Sequence, residues 1–391
     1  MAAVISRAQA IDLDAADPLA PWRQRFVTPE FTYLVGNSLG MAPRATRARL
    51  DTLLDEEWAG ALVASWEHWI DLPARVGDRL APVIGAAAGT VVVHDSTTVN
   101  LYQAVHAALG AVTHDRPKVI AVDAGDFPTD RYVVAGIAAA TGATVRRGCD
   151  DLAGVDVALR SLVDFRTGAR VDLAAETARA AEHGTMVVWD LSHAAGAVEV
   201  DVTGAGVDVA VGCTYKYLHG GPGAPAFTYV RPDHYDTLTS PIWGWCAQRA
   251  QFAMGDTFDP QPDRRRFLLG TPDILGLTSA EVGIGITADA GIAAIAAKGR
   301  ALTALALELC DEHGLRSPTP REANARGCHV AVAVDQQALD AVHQALSARH
   351  VVVDRRPPNL FRVGCSPLTT RFVDVFDGMS AIAEVVRDCR P

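Results

Sequence analysis

Apolar positions along the chain follow two different periods. Nearly continuous apolar runs recur as KVIAVDAG (118–125), ATVRRG (143–148), TMVVWD (185–190), VDVAVGC (207–213) and APAFTYV (224–230). Runs of this length, bounded by Gly, Pro and Asp, predict strands buried on both faces. Between them, near 131–141 and 172–183, apolar residues return every three or four positions in Ala-rich stretches, which predicts helices. Strands alternating with helices imply an α/β fold with a mostly parallel sheet covered by helices.

The flanks read differently. Residues 1–35 predict a short helix and a connector that packs with a C-terminal domain, and FTYLVGNSLGMAP predicts a strand running into a Gly/Asn/Pro turn. Over 44–70, Leu50, Leu53, Leu54, Trp58, Leu62, Trp66 and Trp69 keep helical spacing. VHDSTTVNLYQAVHAAL (93–109) predicts a short strand, a Ser/Thr turn and a helix. After about residue 276 a long Ala/Ile/Gly helix (about 276–298) leads to a strand at GCHVAVAV (327–334) and a helix over 336–349. Strands at VVVD and NLFRVGCS (359–366) and a last helix over 372–388 follow. This α+β pattern predicts a large domain over 36–275 and a smaller C-terminal domain over 276–391.

The chain has 391 residues, 49% of them hydrophobic and 21% charged, which suits a soluble globular protein. A net charge of −11 argues against nucleic acid or an anionic membrane as partner. No uninterrupted apolar stretch of membrane-spanning length and no signal-peptide pattern is expected. Seven scattered cysteines, with no CxxC and no His/Cys cluster at metal spacing, point to reduced thiols, no metal and a cytoplasmic location.

The chemistry concentrates at strand ends. TMVVWD puts Asp190 at the C-terminal end of a buried strand, the edge where open α/β sheets bind ligands. By itself Asp190 reads equally as a turn or capping residue. Lys216, in VGCTYKYLHGGPG, ends the next apolar strand, so both groups are expected in one crevice. A lysine amine and a carboxylate together suggest pyridoxal phosphate, which needs a Schiff-base lysine and an acid beside its ring nitrogen. Ser96, Thr97 and Thr98 would cap the next helix and offer its N-terminus to a phosphate, although such a triplet also caps helices that bind nothing. Phe127, in VDAGDFPTD, is placed either to stack on a ring or in the core.

Taken in order, GNSLG (36–40), HDSTT (94–98), DFPTD (126–130), WDLSHAAG (189–196), GCTYKYLHGGPGAPAF (212–227), GW (244–245), GTPDILGL (270–277) and RGCH (326–329) resemble the kynureninases. These are pyridoxal-phosphate enzymes of fold type I, the aspartate aminotransferase fold, with a large and a small domain. The resemblance implies that Lys216 carries the cofactor and moves protons at Cα, with Asp190 on the pyridine nitrogen and Phe127 stacked on the ring. It implies Asp130 and His193 beside the cofactor, and Thr97, Thr98 and Tyr215 on the phosphate, with Tyr215 also a candidate proton relay. Trp245 and Thr271 would reach the phosphate across a homodimer interface. Arg362 would grip the substrate's α-carboxylate, with Ser38 and Trp66 also on the substrate; otherwise Arg362 reads as a charge at a strand edge, and the Trp66, His68 and Trp69 group as helix core.

The implied reaction is hydrolytic Cβ–Cγ cleavage of L-kynurenine, or a ring-substituted form such as 3-hydroxykynurenine, to an anthranilate-type acid and L-alanine. Three positions depart from the family pattern. Gln248 stands where histidine is usual, with Ala247 for glycine, and His219 where asparagine is common. The altered positions are expected to bear on substrate preference. Rival readings are an altered substrate in secondary metabolism, a cysteine desulfurase-like lyase, which needs a reactive cysteine on a flexible loop, and a silent binding module. Cys328 and Cys365 lie in strand-like contexts, against the desulfurase reading.

Overall fold

A computed structural model describes residues 5–389. Its strands, in chain order, are β1 (Thr32–Leu34), β2 (Val91–Val93), β3 (Val119–Val122), β4 (Thr144–Arg147), β5 (Val157–Ser161) and β6 (Met186–Asp190). They continue as β7 (Val209–Gly212), β8 (Phe227–Val230), β9 (His329–Ala333), β10 (Val351–Arg356) and β11 (Leu360–Gly364). Seven form one sheet in the order β2-β8-β7-β6-β5-β3-β4. From β7 to β4 all neighbours are parallel, while β8 and β2 add an antiparallel edge. Side chains alternate across this sheet. Val157, Leu159, Val188, Val209 and Val211 enter the core on one face, and Ala158, Val187, Trp189 and Ala210 the core on the other. Two buried faces explain why these strands read as continuous apolar runs.

β5 is absent from the sequence reading. Its apolar run is only three residues long, closed by Asp156 on one side and Arg160 on the other. Two predicted helices also differ from the structure. The stretch 44–70 is a helix at Arg44–Thr52, a π-helix at Leu53–Ala61, a 3₁₀ turn at Leu62–Ser65 and a short helix at Trp66–Trp69. The path turns at Leu62, whose φ of 52° no helix accommodates. The long linking helix is two helices, Ile274–Ala290 and Ile292–Glu312, bent by 83°. Gly291 sits at the bend with φ 83°, a conformation glycine adopts freely. The first of these helices packs on the large sheet through Leu277, Ala280 and Ile284, and the second carries Leu302, Leu305 and Leu309 into a separate core around the small sheet. Among the described residues no single helix is long and apolar enough to cross a membrane.

The small sheet has the order β1-β10-β11-β9, with β1 parallel to β10 and the rest antiparallel. The N-terminal segment is tied to this unit by more than β1. Asp14 accepts hydrogen bonds from the amides of Phe372 and Val373 at 2.7 and 3.0 Å, capping the helix Phe372–Asp388. Asp17 pairs with Lys298 at 2.6 Å with both side chains buried. Burial pushes the Lys298 amine below its ordinary pKa while Asp17 opposes that fall. Removing one partner of a buried pair leaves an uncompensated charge. Asp17→Asn is therefore expected to lower stability by about 3 kcal/mol in urea unfolding; a loss below about 1 kcal/mol would contradict this account.

Candidate active site

A cavity of about 170 Å³ opens where β3, β5, β6 and the chain after β7 end together. β6 delivers Asp190, one of whose carboxylate oxygens accepts from the Ser192 amide at 2.8 Å. Lys216 enters just beyond β7, its Nζ 2.9 Å from His193 Nε2 and 5.8 Å above the Tyr215 ring. The helix Thr97–Gly110 points its N-terminus at the cavity, with Ser96 as cap accepting from the Val99 amide and Thr97 and Thr98 in the first turn. Phe127 caps the helix Pro128–Thr141 and meets Phe165 edge-on at 5.2 Å. The structure thus gathers Thr97, Thr98, Phe127, Asp130, Asp190, His193, Tyr215 and Lys216 around one space.

Ser161 and Phe165 also line it, and sequence reading named neither. Ser161 ends β5, facing Asp190 in register, so missing that strand meant missing the residue. Phe165 follows in the loop after β5, where no pattern marks it.

The electrostatics are unusual for so small a space. Asp126, Asp130 and Asp190 crowd together with Lys216 as their cation. Burial, then the neighbouring Asp123, pushes the Asp126 carboxyl up to about 7. Burial, then Asp190 and Asp126, raises Asp130 well above the usual carboxylate range. Burial and the charge of Lys216 hold His193 neutral, well below its ordinary pKa. Its Nδ1 is buried and has no partner. The Cys213 thiol and burial keep the Tyr215 phenol protonated.

Arg362, in the β10–β11 hairpin of the small sheet, and Ser38, in the turn after β1, lie outside the cavity lining. Arg362 is not the surface charge of the alternative reading: it is 1% exposed. Its guanidinium pairs with Asp354, donates to the Phe165 carbonyl at 2.5 Å and to Ser38 Oγ at 3.1 Å. Ser38 in turn donates to Asp354 at 2.7 Å. Asp354 and Arg362 face each other across the β10–β11 ladder, a register that the hairpin VVVDRRPPNLFR could have suggested.

Trp245, Thr271 and Trp66 are likewise not brought to the cavity in this chain, and the family departures His219 and Gln248 also lie outside its lining. Trp245 donates to the Gln251 carbonyl on an exposed loop, and Thr271 is exposed. Trp66 meets Trp69 edge-on at 5.5 Å, in a cluster organised by Glu57, which accepts from Trp69 Nε1 at 2.7 Å and pairs with Arg49 and His68. His219 is buried away from the cavity, its ring 4.5 Å from Phe26 and its Nδ1 3.1 Å from the Met41 carbonyl. Its φ of 56° is one that asparagine and histidine both tolerate, so the exchange keeps the turn. Gln248 accepts from the Asp259 amide at 2.6 Å and closes a surface loop. A larger groove, about 760 Å³ around Arg170, Glu199 and Glu322, is lined by no lysine, histidine, cysteine or hydroxyl side chain.

Solved structures share this architecture. A cysteine desulfurase from Thermococcus onnurineus NA1 superposes with a TM-score of 0.80 at 18% identity, covering 97% of this chain and 98% of its own. A cysteine desulfurase from Escherichia coli gives 0.79 at 18% identity, covering 95% and 98%. At these identities the likeness concerns the fold. Sequence relatives go further. Proteins named kynureninase from Burkholderia pseudomallei (strain 1106a) and Pseudomonas fluorescens are 40% and 41% identical, each over 97% of this chain and 95% of their own length. The chain belongs to the kynureninase family. The family description "Kynureninase C-terminal domain" matches residues 295–382. Six of the chain's cysteines are buried, and the partly exposed Cys389 lies at the chain end. Burial pushes the Cys328 thiol up to about 12.

The carboxylate cluster makes a pH prediction. Folded Asp126 and Asp130 hold protons that the unfolded chain gives up near the ordinary carboxyl value of 3.8. The folded state therefore binds more protons above that value, and this contribution to stability declines as pH rises through about 7. The melting temperature of the cofactor-free protein is expected to fall from about pH 6.5 to about 8.5, less steeply in Asp130→Asn. A rise over that window, or an unchanged slope in the variant, would contradict it.

Proposed function

We propose that this chain hydrolyses L-kynurenine, or a ring-substituted kynurenine, to an anthranilate-type acid and L-alanine with pyridoxal phosphate in the cavity described. The observation that carries the reading is the meeting of Lys216, Asp190 and the Thr97–Gly110 helix N-terminus around one space. These residues fit the cofactor. A crowd of carboxylates with one lysine favours a further cation such as a protonated pyridine nitrogen, and the helix N-terminus favours a phosphate.

Bound there, pyridoxal phosphate supplies a carbonyl for the amine and an electron-withdrawing ring for the substrate Cα. The chain's own residues do the rest. Thr97, Thr98 and the first-turn amides of their helix hold the phosphate, and Tyr215, kept protonated, donates to it. Asp190 holds the ring nitrogen in its protonated form. Phe127 covers the ring face, and Asp130, kept protonated, adds no second negative charge beside Asp190. Lys216 anchors the cofactor and moves protons at the substrate, and neutral His193 accepts from its Nζ. Water adds to the γ-carbonyl carbon and the Cβ–Cγ bond breaks. The γ-carbon leaves as the aryl carboxylate, and a proton on Cβ completes alanine. Arg362, behind the Phe165 carbonyl, takes the substrate's α-carboxylate.

We further infer a homodimer in the cytoplasm. Trp243, Phe252 and Met254 are 65%, 70% and 71% exposed, on the same loop region as Trp245, which supports a second copy covering that surface. Light scattering is expected to give twice the chain mass; a monomer at micromolar concentration would remove this part.

Steady-state assays with kynurenine and 3-hydroxykynurenine test the reaction. Anthranilate-type acid and alanine are expected in equal amounts, and Lys216→Ala is expected to lower kcat by about 10³-fold or more. No aryl acid from either substrate would defeat the proposal, as would sulfide release from cysteine at a comparable rate.

A further inference from the structure

Arg362 presents five N–H donors, and its neighbours take nearly all of them. Nη2 donates to Asp354 and Ser38, and Nη1 to the Phe165 carbonyl. With its amide oxygen facing the guanidinium, Asn37 accepts from Nε at 3.1 Å and from Nη2 at 3.3 Å. Asn37 is fully buried, and a Cβ on Gly364 would lie 1.9 Å from the other end of its amide, so the space is shaped for it. One Nη1 hydrogen is left over. A two-point grip on an incoming carboxylate therefore needs a present partner to leave, and Asp354 offers the same chemical group as the newcomer.

Asp354 is also the partner with somewhere else to go. Arg356 Nη2 already lies 2.9 Å from its carboxylate, and the Arg356 side chain is about one-third exposed. On leaving Arg362, Asp354 keeps a cation, and no buried charge is stranded.

We propose that Asp354 is a resident carboxylate, occupying Arg362 until the carboxylate of the amino-acid substrate exchanges with it. Asp354 is thus a positioning residue that acts through Arg362; the inference rests on Arg362 taking the α-carboxylate. The exchange is also felt at the lysine. Ser38 bonds both members of the pair, and the same segment continues to Gly40, whose amide donates to the Tyr215 carbonyl at 2.9 Å, and to Met41, held by His219. Substrate entry at Arg362 so loosens or resets the strap that holds the Lys216 turn.

The test uses holoenzyme and four variants. Asp354→Asn keeps the shape and removes the competing charge. Its KM for kynurenine is expected to fall about five-fold with kcat within about two-fold, a gain that structural damage does not produce, and Asp354→Glu is expected to keep the wild-type KM. Calorimetric titration is expected to find L-alanine bound about five-fold tighter by Asp354→Asn, with ethylamine, which lacks the carboxylate, unchanged. Should Asp354→Asn fail to fold, Ser38→Ala, which removes the bridge, is expected to tighten alanine binding in the same direction, by about two-fold. A KM or alanine affinity that is unchanged or worse in the folded variant overturns the proposal. Arg362→Lys separates the two levels. If it weakens KM about ten-fold or more while Asp354→Asn does not tighten, the grip stands and the resident carboxylate falls. If Arg362→Lys leaves KM and alanine binding untouched, the α-carboxylate role itself fails.

Discussion

Like charge held out of water is the constraint on which this site depends. Asp126, Asp130 and Asp190 converge at the ends of parallel strands, where the sheet directs whatever its loops carry. Lys216 is their cation within the cavity, and burial keeps protons on Asp126 and Asp130 that water would remove. The arrangement is costly to the empty fold and favourable to a cationic ring, so stability given up in the core becomes affinity at the edge. The same crowding keeps His193 neutral beside Lys216, and neutral imidazole is the form able to accept from an ammonium.

A second charge system sits at the small sheet and is built on the opposite logic. There the donors of a buried arginine are nearly all taken by acceptors. The two systems are joined by residues 35–41, which pair with β11 at Val35 and reach the Tyr215 carbonyl through Gly40. This short, glycine-containing segment thus bonds Arg362 and Asp354 through Ser38, and the turn that carries Tyr215 and Lys216 through Gly40.

The α/β architecture and part of the candidate cavity were readable from residue pattern, because strands buried on both faces and strand-end polar groups leave a local signature. Asp190 and Lys216 are such groups, while Asp130, His193 and Tyr215 were named only through the family resemblance. β5 left no signature because Arg160 pairs with Glu176 and enters the sheet edge as a charge, so Ser161 went unseen. The break at Gly291 was hidden in an Ala/Gly/Ile stretch where glycine reads as ordinary helix. Asp354 needed the register of a hairpin, a tertiary fact. From family position alone, Trp66 was expected on the substrate and His219 and Gln248 to bear on substrate preference; in this chain they pack against Trp69, against Phe26 and in the 248–259 loop.

The small unit is discontinuous in sequence, and that has a practical meaning. β1, Asp14 and Asp17 come from the first thirty-four residues, yet they supply an edge strand, a helix cap and a counter-ion to elements beyond residue 290. A fragment beginning after the large sheet would expose the β10 edge to other chains and leave Lys298 charged in an apolar setting. Synthesis order matters for the same reason: β1, Asp14 and Asp17 precede their partners by more than 250 residues and stay without them until those residues emerge.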